Sequence, residues 1–196
     1  CGCDVHRLPT ADGLPDAVFV EDTAVVVDEL AVLTRPGAPS RRPEVESVAE
    51  ALARWRTVAR LTAPATLDGG DVLRVGRRLW VGLSSRSGRA GVEQLAALLG
   101  PHGYEVHTVA VRDCLHLKSA VTAVDDRRLL LNPAWVDRTA FPGLEILEVD
   151  PAEPNAANAL PVGGRVVYPS SYPRTATRLL AAGLELVEVD VCELAK

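Results

Sequence analysis

Short hydrophobic runs, each closed by a polar turn, follow one another along this chain in an order that repeats. Ala17–Val20 continues into Ala24–Val27, and after an Asp28-Glu29 turn Ala31–Thr34 follows, which predicts a hairpin. Pro36–Ser40 breaks the run. Pro43 then opens a predicted helix with Val45, Val48, Ala49, Leu52 and Trp55 on one face and Glu44, Glu46 and Arg54 directed outward, before Val58–Leu61 extends again. The second round predicts strands at Asp71–Val75 and Leu79–Leu83, a helix with Val92, Leu95, Leu98 and Leu99 inward, and a strand at Tyr104–Val111. A third predicts a strand over Leu115–Val124, a return through Leu129–Leu131, a short helical connection at Trp135–Phe141 and a strand at Leu144–Val149. The fourth runs from Asn158 through a Gly163-Gly164 turn to Val166–Tyr168, then a helix near residues 173–182 and a strand at Leu184–Val189.

The segments that enter these rounds are themselves alike. Glu21-Asp22-Thr23-Ala24-Val25-Val26, Gly70-Asp71-Val72-Leu73, Leu117-Lys118-Ser119-Ala120-Val121 and Asn158-Ala159-Leu160-Pro161-Val162 recur at roughly 40 to 50 residues, the mark of a diverged repeat architecture whose members bury their faces against neighbours. The expected class is α/β, with four strand-and-helix repeats. A row of such repeats leaves strand edges exposed unless it closes on itself. Val187–Val191 leads into Cys192–Lys196 as if toward a further repeat, so a final one is expected beyond this sequence.

Length and composition narrow the classes. At 196 residues and 47% hydrophobic the chain can bury a core as one domain spanning 1–196, and no Pro/Gly/Ser-rich linker divides it. A net charge of −5 without a basic stripe argues against nucleic acid, and the lack of an 18-residue apolar run argues against a membrane-spanning helix. Cys1, Cys3, Cys114 and Cys192 are too sparse for a disulfide framework and form no zinc-type pair, so a reducing cytoplasm is the expected setting. A first residue of Cys1 in a chain without Met suggests that the natural start lies elsewhere.

The polar motifs carry the chemistry. Cys114-Leu115-His116-Leu117-Lys118-Ser119 is preceded by two acidic motifs, Phe19-Val20-Glu21-Asp22 and Leu67-Asp68-Gly69-Gly70-Asp71. An imidazole facing several carboxylates across a polar pocket suits a cationic substrate. Taken alone, Asp68–Asp71 is as well explained by a tight turn and Glu21-Asp22 by a solvated strand end.

Taken together these segments resemble the dimethylarginine dimethylaminohydrolase family of the guanidine-modifying superfamily. The resemblance runs through Pro15–Asp22, Thr34–Arg42, Leu67–Val72, Val81–Arg86, Leu115–Ser119 and Ala156–Asn158, almost the whole chain. It implies the pentein architecture, an α/β-propeller of ββαβ repeats around a pseudo-fivefold axis, here with four repeats and the fifth missing or incomplete. It also implies hydrolysis of Nω-methylated arginines to citrulline, with methylamine or dimethylamine leaving from a covalent thiouronium intermediate on a cysteine of the fifth repeat, shortly after Glu193–Lys196. His116 would be the general acid and base, tasks suited to an ordinary imidazole pKa of about 6.5. Asp68 would orient it and face the guanidinium, and Glu21 and Asp22 would bind substrate nitrogens. Arg41 and Arg86 would clamp the α-carboxylate, for which a forked guanidinium is geometrically suited, and Asp16 would meet the α-amino group. No metal or cofactor is called for; the partner is a small molecule, the methylated arginine, and a homodimer is left open.

Two readings stand beside this one. Arginine deiminases tend to carry Phe-x-Arg-Asp and His-Leu-Asp where this chain has Phe19-Val20-Glu21-Asp22 and His116-Leu117-Lys118, which favours the methylated substrate over an arginine deiminase-like activity. A non-catalytic arginine-binding homologue without the nucleophile is the other. Strand alternation would put Cys114 and His116 on one face, but the family pattern does not use that thiol, and a buried inert cysteine is the better reading.

Overall fold

The computed structural model describes residues 4–9 and 12–192; Cys1, Cys3 and the Glu193–Lys196 segment lie outside them. The chain divides into two compact units, residues 2–109 and residues 110–196, each built from two of the expected repeats.

In the first unit a 3-10 turn, Val20–Thr23, leads into β1 (Ala24–Val26), which pairs antiparallel with β2 (Leu30–Leu33), Ala24 opposite Leu33. After α1 (Glu44–Leu52) the chain returns as β3 (Thr57–Arg60), parallel to β2 with Leu30 opposite Thr57. The second repeat copies the order. A 3-10 turn at Gly69–Asp71 enters β4 (Val72–Val75), β5 (Arg78–Leu83) pairs antiparallel to it, and α2 (Arg89–Leu99) leads to β6 (Glu105–Ala110), which lies beside β5.

In the second unit the helical turn α3 (Leu117–Ala120) enters β7 (Val121–Ala123), followed by antiparallel β8 (Arg128–Leu131), a connection with a 3-10 turn at Arg138–Ala140, and parallel β9 (Glu145–Glu148). The fourth repeat has β10 (Leu160–Val162), antiparallel β11 (Arg165–Pro169), α4 (Pro173–Ala181) and parallel β12 (Leu186–Val189). Four separate three-stranded sheets result among the described residues.

The middle strand of each sheet carries the core. Leu30, Ala31, Val32 and Leu33 of β2 are all buried, as are Leu79, Trp80 and Val81 of β5 and Leu129, Leu130 and Leu131 of β8. Covered on both faces, such strands read as unbroken apolar runs rather than alternating ones. In the first unit Val25, Val32, Leu67, Leu79, Val92, Leu95 and Leu99 join one cluster that binds its two repeats together. Leu130, Ala156, Val166, Tyr168, Ala176 and Leu179 do the same in the second. Each fully buried Leu or Val contributes about 1.5–3 kcal/mol.

Several sequence expectations are corrected. Ala17–Val20 is not strand: Phe19 N–H donates to the Asp16 carbonyl and Asp22 N–H to that of Phe19, so the segment coils in successive turns, and Val18, Phe19 and Val20 are exposed. The predicted strand at Leu115–Val124 begins only at Val121, after one helical turn. α1 stops at Leu52, which leaves Trp55 outside the helix and 70% exposed. Glu44, expected outward, is buried, because Arg41 draws it in.

Candidate active site

Three of the polar residues singled out in the sequence occupy the same station in their repeats, on the turn that enters the first strand of each hairpin. Asp22 lies within Val20–Thr23 ahead of β1, Asp68 caps Gly69–Asp71 ahead of β4, and His116 caps α3 ahead of β7. The short turns put side chains at the strand mouths without using a rung of the ladder.

In the first unit Asp22 and Asp68 are both buried, Asp68 completely. Asp22 Oδ1 accepts the Gly70 N–H at 2.8 Å, its Oδ2 accepts Arg41 Nη1 at 2.5 Å, and its carbonyl accepts the Thr34 hydroxyl at 2.7 Å. Asp68 Oδ1 accepts the Gly37 N–H at 2.8 Å, and its own N–H donates to Ser87 Oγ at 3.0 Å. The two acidic turns are therefore in direct contact. Gly69 permits this, since a Cβ there would stand 2.0 Å from the Glu21 carbonyl oxygen.

Arg41 is the cation that this pair of turns closes around. Its Nε and Nη2 donate to Glu44 (2.8 Å for the shortest), its Nη2 also reaches the Asp16 and Phe19 carbonyls at 3.1 Å, and its Nη1 takes Asp22. Burial disfavours the guanidinium cation, but the hydrogen bonds it donates to the Glu44 and Asp22 carboxylates outweigh that and hold its pKa above the ordinary arginine value. The sequence missed Glu44; its position three residues after Arg41 was the available signal. Asp16 and Glu21 are exposed, and Asp16 meets Arg41 through its carbonyl.

Arg86 differs from Arg41. It is half-buried, its backbone N–H donates to Ser84 Oγ at 3.0 Å, and its guanidinium makes no hydrogen bond or ion pair among the described residues. A half-buried guanidinium so placed is fitted to take an anion. Its backbone packs against Gly37, where a Cβ would stand 2.4 Å from the Arg86 carbonyl oxygen. Gly37 thus touches Arg86 and Asp68 at once.

Beneath both lies a network that sequence reasoning did not assign. One oxygen of the buried Asp71 carboxylate, Oδ2, accepts the hydroxyls of Ser84 and Ser87, each at 2.6 Å. The Ser84-x-x-Ser87 spacing in a loop was its only trace.

In the second unit His116 is half-buried, and its carbonyl accepts the Ser119 N–H at 3.1 Å and the Cys114 thiol at 3.3 Å. Asp113 stands at φ +53, a left-handed conformation that Asp tolerates, so the chain turns here. The strand alternation that would have put Cys114 and His116 on one face is accordingly absent, and the thiol, only partly buried, donates to the His116 carbonyl.

An apolar groove of about 890 Å³ between residues 5–20 and α1 contains none of the seven candidate residues. Among the described residues neither unit by itself gathers three His, Cys, Asp or Glu side chains at metal-ligand distance, and no helix is long and apolar enough to cross a membrane.

Comparison with known proteins places the chain in a family. The arginine deiminase family profile matches residues 5–161. A dimethylarginine dimethylaminohydrolase of Pseudomonas aeruginosa is 36% identical over 198 residues, covering 100% of this chain and 78% of that protein. Its namesake in Streptomyces coelicolor is 42% identical over 197 residues, covering 100% and 75%. The solved structure of the Pseudomonas aeruginosa enzyme, a Cys-to-Ser mutant complexed with citrulline, superposes with a TM-score of 0.87 at 34% identity, over 93% of this chain and 72% of that one. The four repeats are thus those of the pentein α/β fold, as the motifs implied. On identity, coverage and fold, the chain belongs to the dimethylarginine dimethylaminohydrolase family of the guanidine-modifying pentein superfamily.

Proposed function

We propose that the protein hydrolyses Nω,Nω-dimethyl-L-arginine, and the monomethyl compound, to L-citrulline and the corresponding amine. One observation carries the reading: a single compact unit holds two buried carboxylates, Asp22 and Asp68, and, through Gly37, packs the Asp68 carboxylate close to the backbone of Arg86, whose half-buried guanidinium has no hydrogen bond or ion pair among the described residues. Such a surface matches a molecule that is cationic at one end and carboxylate at the other. The family relatives, which bear the dimethylargininase name and include a citrulline complex, supply the reaction.

A guanidinium carbon resists attack because its charge is spread over three nitrogens, so the reaction needs a strong nucleophile and matched negative charge. In the proposed sequence a cysteine thiolate of the natural protein forms a bond to that carbon while the bond to the dimethylamino nitrogen breaks, and His116 gives its proton to the departing amine. His116 then takes one proton from water as the carbon–oxygen bond forms, and as the carbon–sulfur bond breaks and returns the thiolate the water's second proton passes to solvent, leaving the neutral ureido group of citrulline. Asp68 and Asp22 hold the guanidinium, with Glu21 beside them; Arg86 grips the α-carboxylate, helped by Arg41, and Asp16 meets the α-amino group. The reading includes a cytoplasmic setting, supported by its dependence on a reduced thiol.

The test uses the complete natural gene product, assayed for citrulline release from dimethylarginine and from arginine in parallel. Preference for the methylated substrate is expected, and His116→Ala should lower kcat by about 10²–10⁴. Unchanged turnover in that variant removes His116 from the mechanism, and equal or better turnover of arginine makes the protein a deiminase.

A further inference from the structure

We propose that Asp71, through Ser84 and Ser87, sets the spacing between the two ends of the substrate site and so selects substrates by side-chain length. The proposal rests on the reading above, in which Asp68 faces the guanidinium and Arg86 the α-carboxylate.

The Asp71 carboxylate is linked to both residues through two serine hydroxyls. Ser84 Oγ gives its proton to Asp71 Oδ2 and with its lone pairs accepts the backbone N–H of Arg86 at 3.0 Å and of Ser87 at 3.2 Å. Ser87 Oγ gives its proton to the same oxygen and accepts the backbone N–H of Asp68 at 3.0 Å. The Asp71 N–H closes the figure on the Asp68 carbonyl at 3.0 Å. One carboxylate oxygen therefore fixes the loop that carries Arg86 and the turn that carries Asp68.

The chemistry of the acceptor matters. An ionised carboxylate accepts only, so both serine protons must point at it, and both hydroxyls are left to receive amide hydrogens. Short hydrogen bonds to a buried anion are also the stiff ones. An amide in its place could donate to the hydroxyls, turn them round and release the Arg86 and Asp68 amides. Asp71 is completely buried, with no exposure through which water could substitute for it.

Length is the quantity that this linkage controls. A substrate gripped at both ends tolerates little change in the separation of the grips, and a misplacement of about 1 Å at the reacting centre can cost on the order of 10²-fold in rate. A homologue of dimethylarginine with one extra methylene is rejected by a rigid pair of grips and admitted by a loose one.

The experiment measures kcat/KM of the complete gene product for dimethylarginine and for that longer homologue, in wild type, Ser84→Ala, Ser84→Thr and Asp71→Asn. The ratio of the two values should fall at least about tenfold in Ser84→Ala and in Asp71→Asn, and stay within about twofold of wild type in Ser84→Thr, which keeps the hydroxyl. A ratio unmoved in Ser84→Ala overturns the proposal, whether both activities stay the same or fall together, since parallel loss is what a merely structural defect produces. Should Asp71→Asn fail to fold, the two Ser84 variants decide. Wild-type protein that turns over neither compound defeats the dimethylargininase reading and this one with it; wild-type activity with an unmoved ratio defeats only this one.

Discussion

Removing Arg41 should unfold the protein more readily than removing any exposed arginine, and should do so in a pH-dependent way. The guanidinium holds Asp22 and Glu44, all three side chains being at most 9% exposed, and two backbone carbonyls besides. In Arg41→Ala two buried carboxylates lose their common counter-charge, and breaking a buried ion pair from one side costs about 3–5 kcal/mol. For a chain of this size each kilocalorie lowers Tm by about 2–4 °C, so a fall of roughly 6–20 °C is expected. Losing the guanidinium penalises the ionised form of the two carboxylates and not the protonated one, so the deficit should be greatest at high pH and shrink on acidification. Urea unfolding at pH 8 and at pH 5.5 measures both effects. A loss under about 1 kcal/mol that is equal at the two pH values refutes the argument, because a buried triad cannot lose its centre so lightly. Arg60→Ala, which breaks an exposed pair with Glu46, is the control and should cost about 0–1 kcal/mol.

Gly69→Ala should destabilise by about 1–3 kcal/mol, because its Cβ meets backbone oxygens of Glu21 and Ala24 at 2.0 and 3.1 Å and must displace the turn that bears Asp22. Gly100→Ala, with nothing within 4 Å, should be neutral or better, and thermal melts that rank the two equal would count against the close approach. Glu153 accepts the Arg174 and Thr175 N–H groups at the start of α4; burial raises its pKa, but these bonds outweigh it and hold it below the usual glutamate value. Its stabilisation is therefore complete above the unfolded pKa of about 4.3 and is lost as pH falls through the lower folded value. Glu153→Gln should cost about 0.5–2 kcal/mol near pH 7, with the gap to wild type closing on acidification below pH 4; a constant gap contradicts the capping role.

The repeat order was legible because the central strands are covered on both faces and read as unbroken apolar runs, with helices marked by the spacing of residues such as Val92, Leu95 and Leu99. What was not legible were the turns just before each hairpin. Over so few residues a strand and a helical turn are not told apart by their letters, as in Ala17–Val20 and Leu115–Ala120, and only hydrogen bonds such as Phe19 N–H to Asp16 O separate them. The acids and the imidazole were visible through the motifs of a known family. Their supports were not, since Glu44, Ser84 and Ser87 acquire meaning only from partners such as Asp22, Arg86 and Asp68 brought near by folding.

Asp22, Asp68 and His116 each stand one step ahead of a hairpin, and none belongs to a strand. A change of side chain at that station alters the reagent on offer while the rungs behind it stay paired. Copies of one ancestral segment could in this way diverge into an acid in one place and a base in another without endangering assembly, and a fold that tolerates such tinkering is a ready source of new activities.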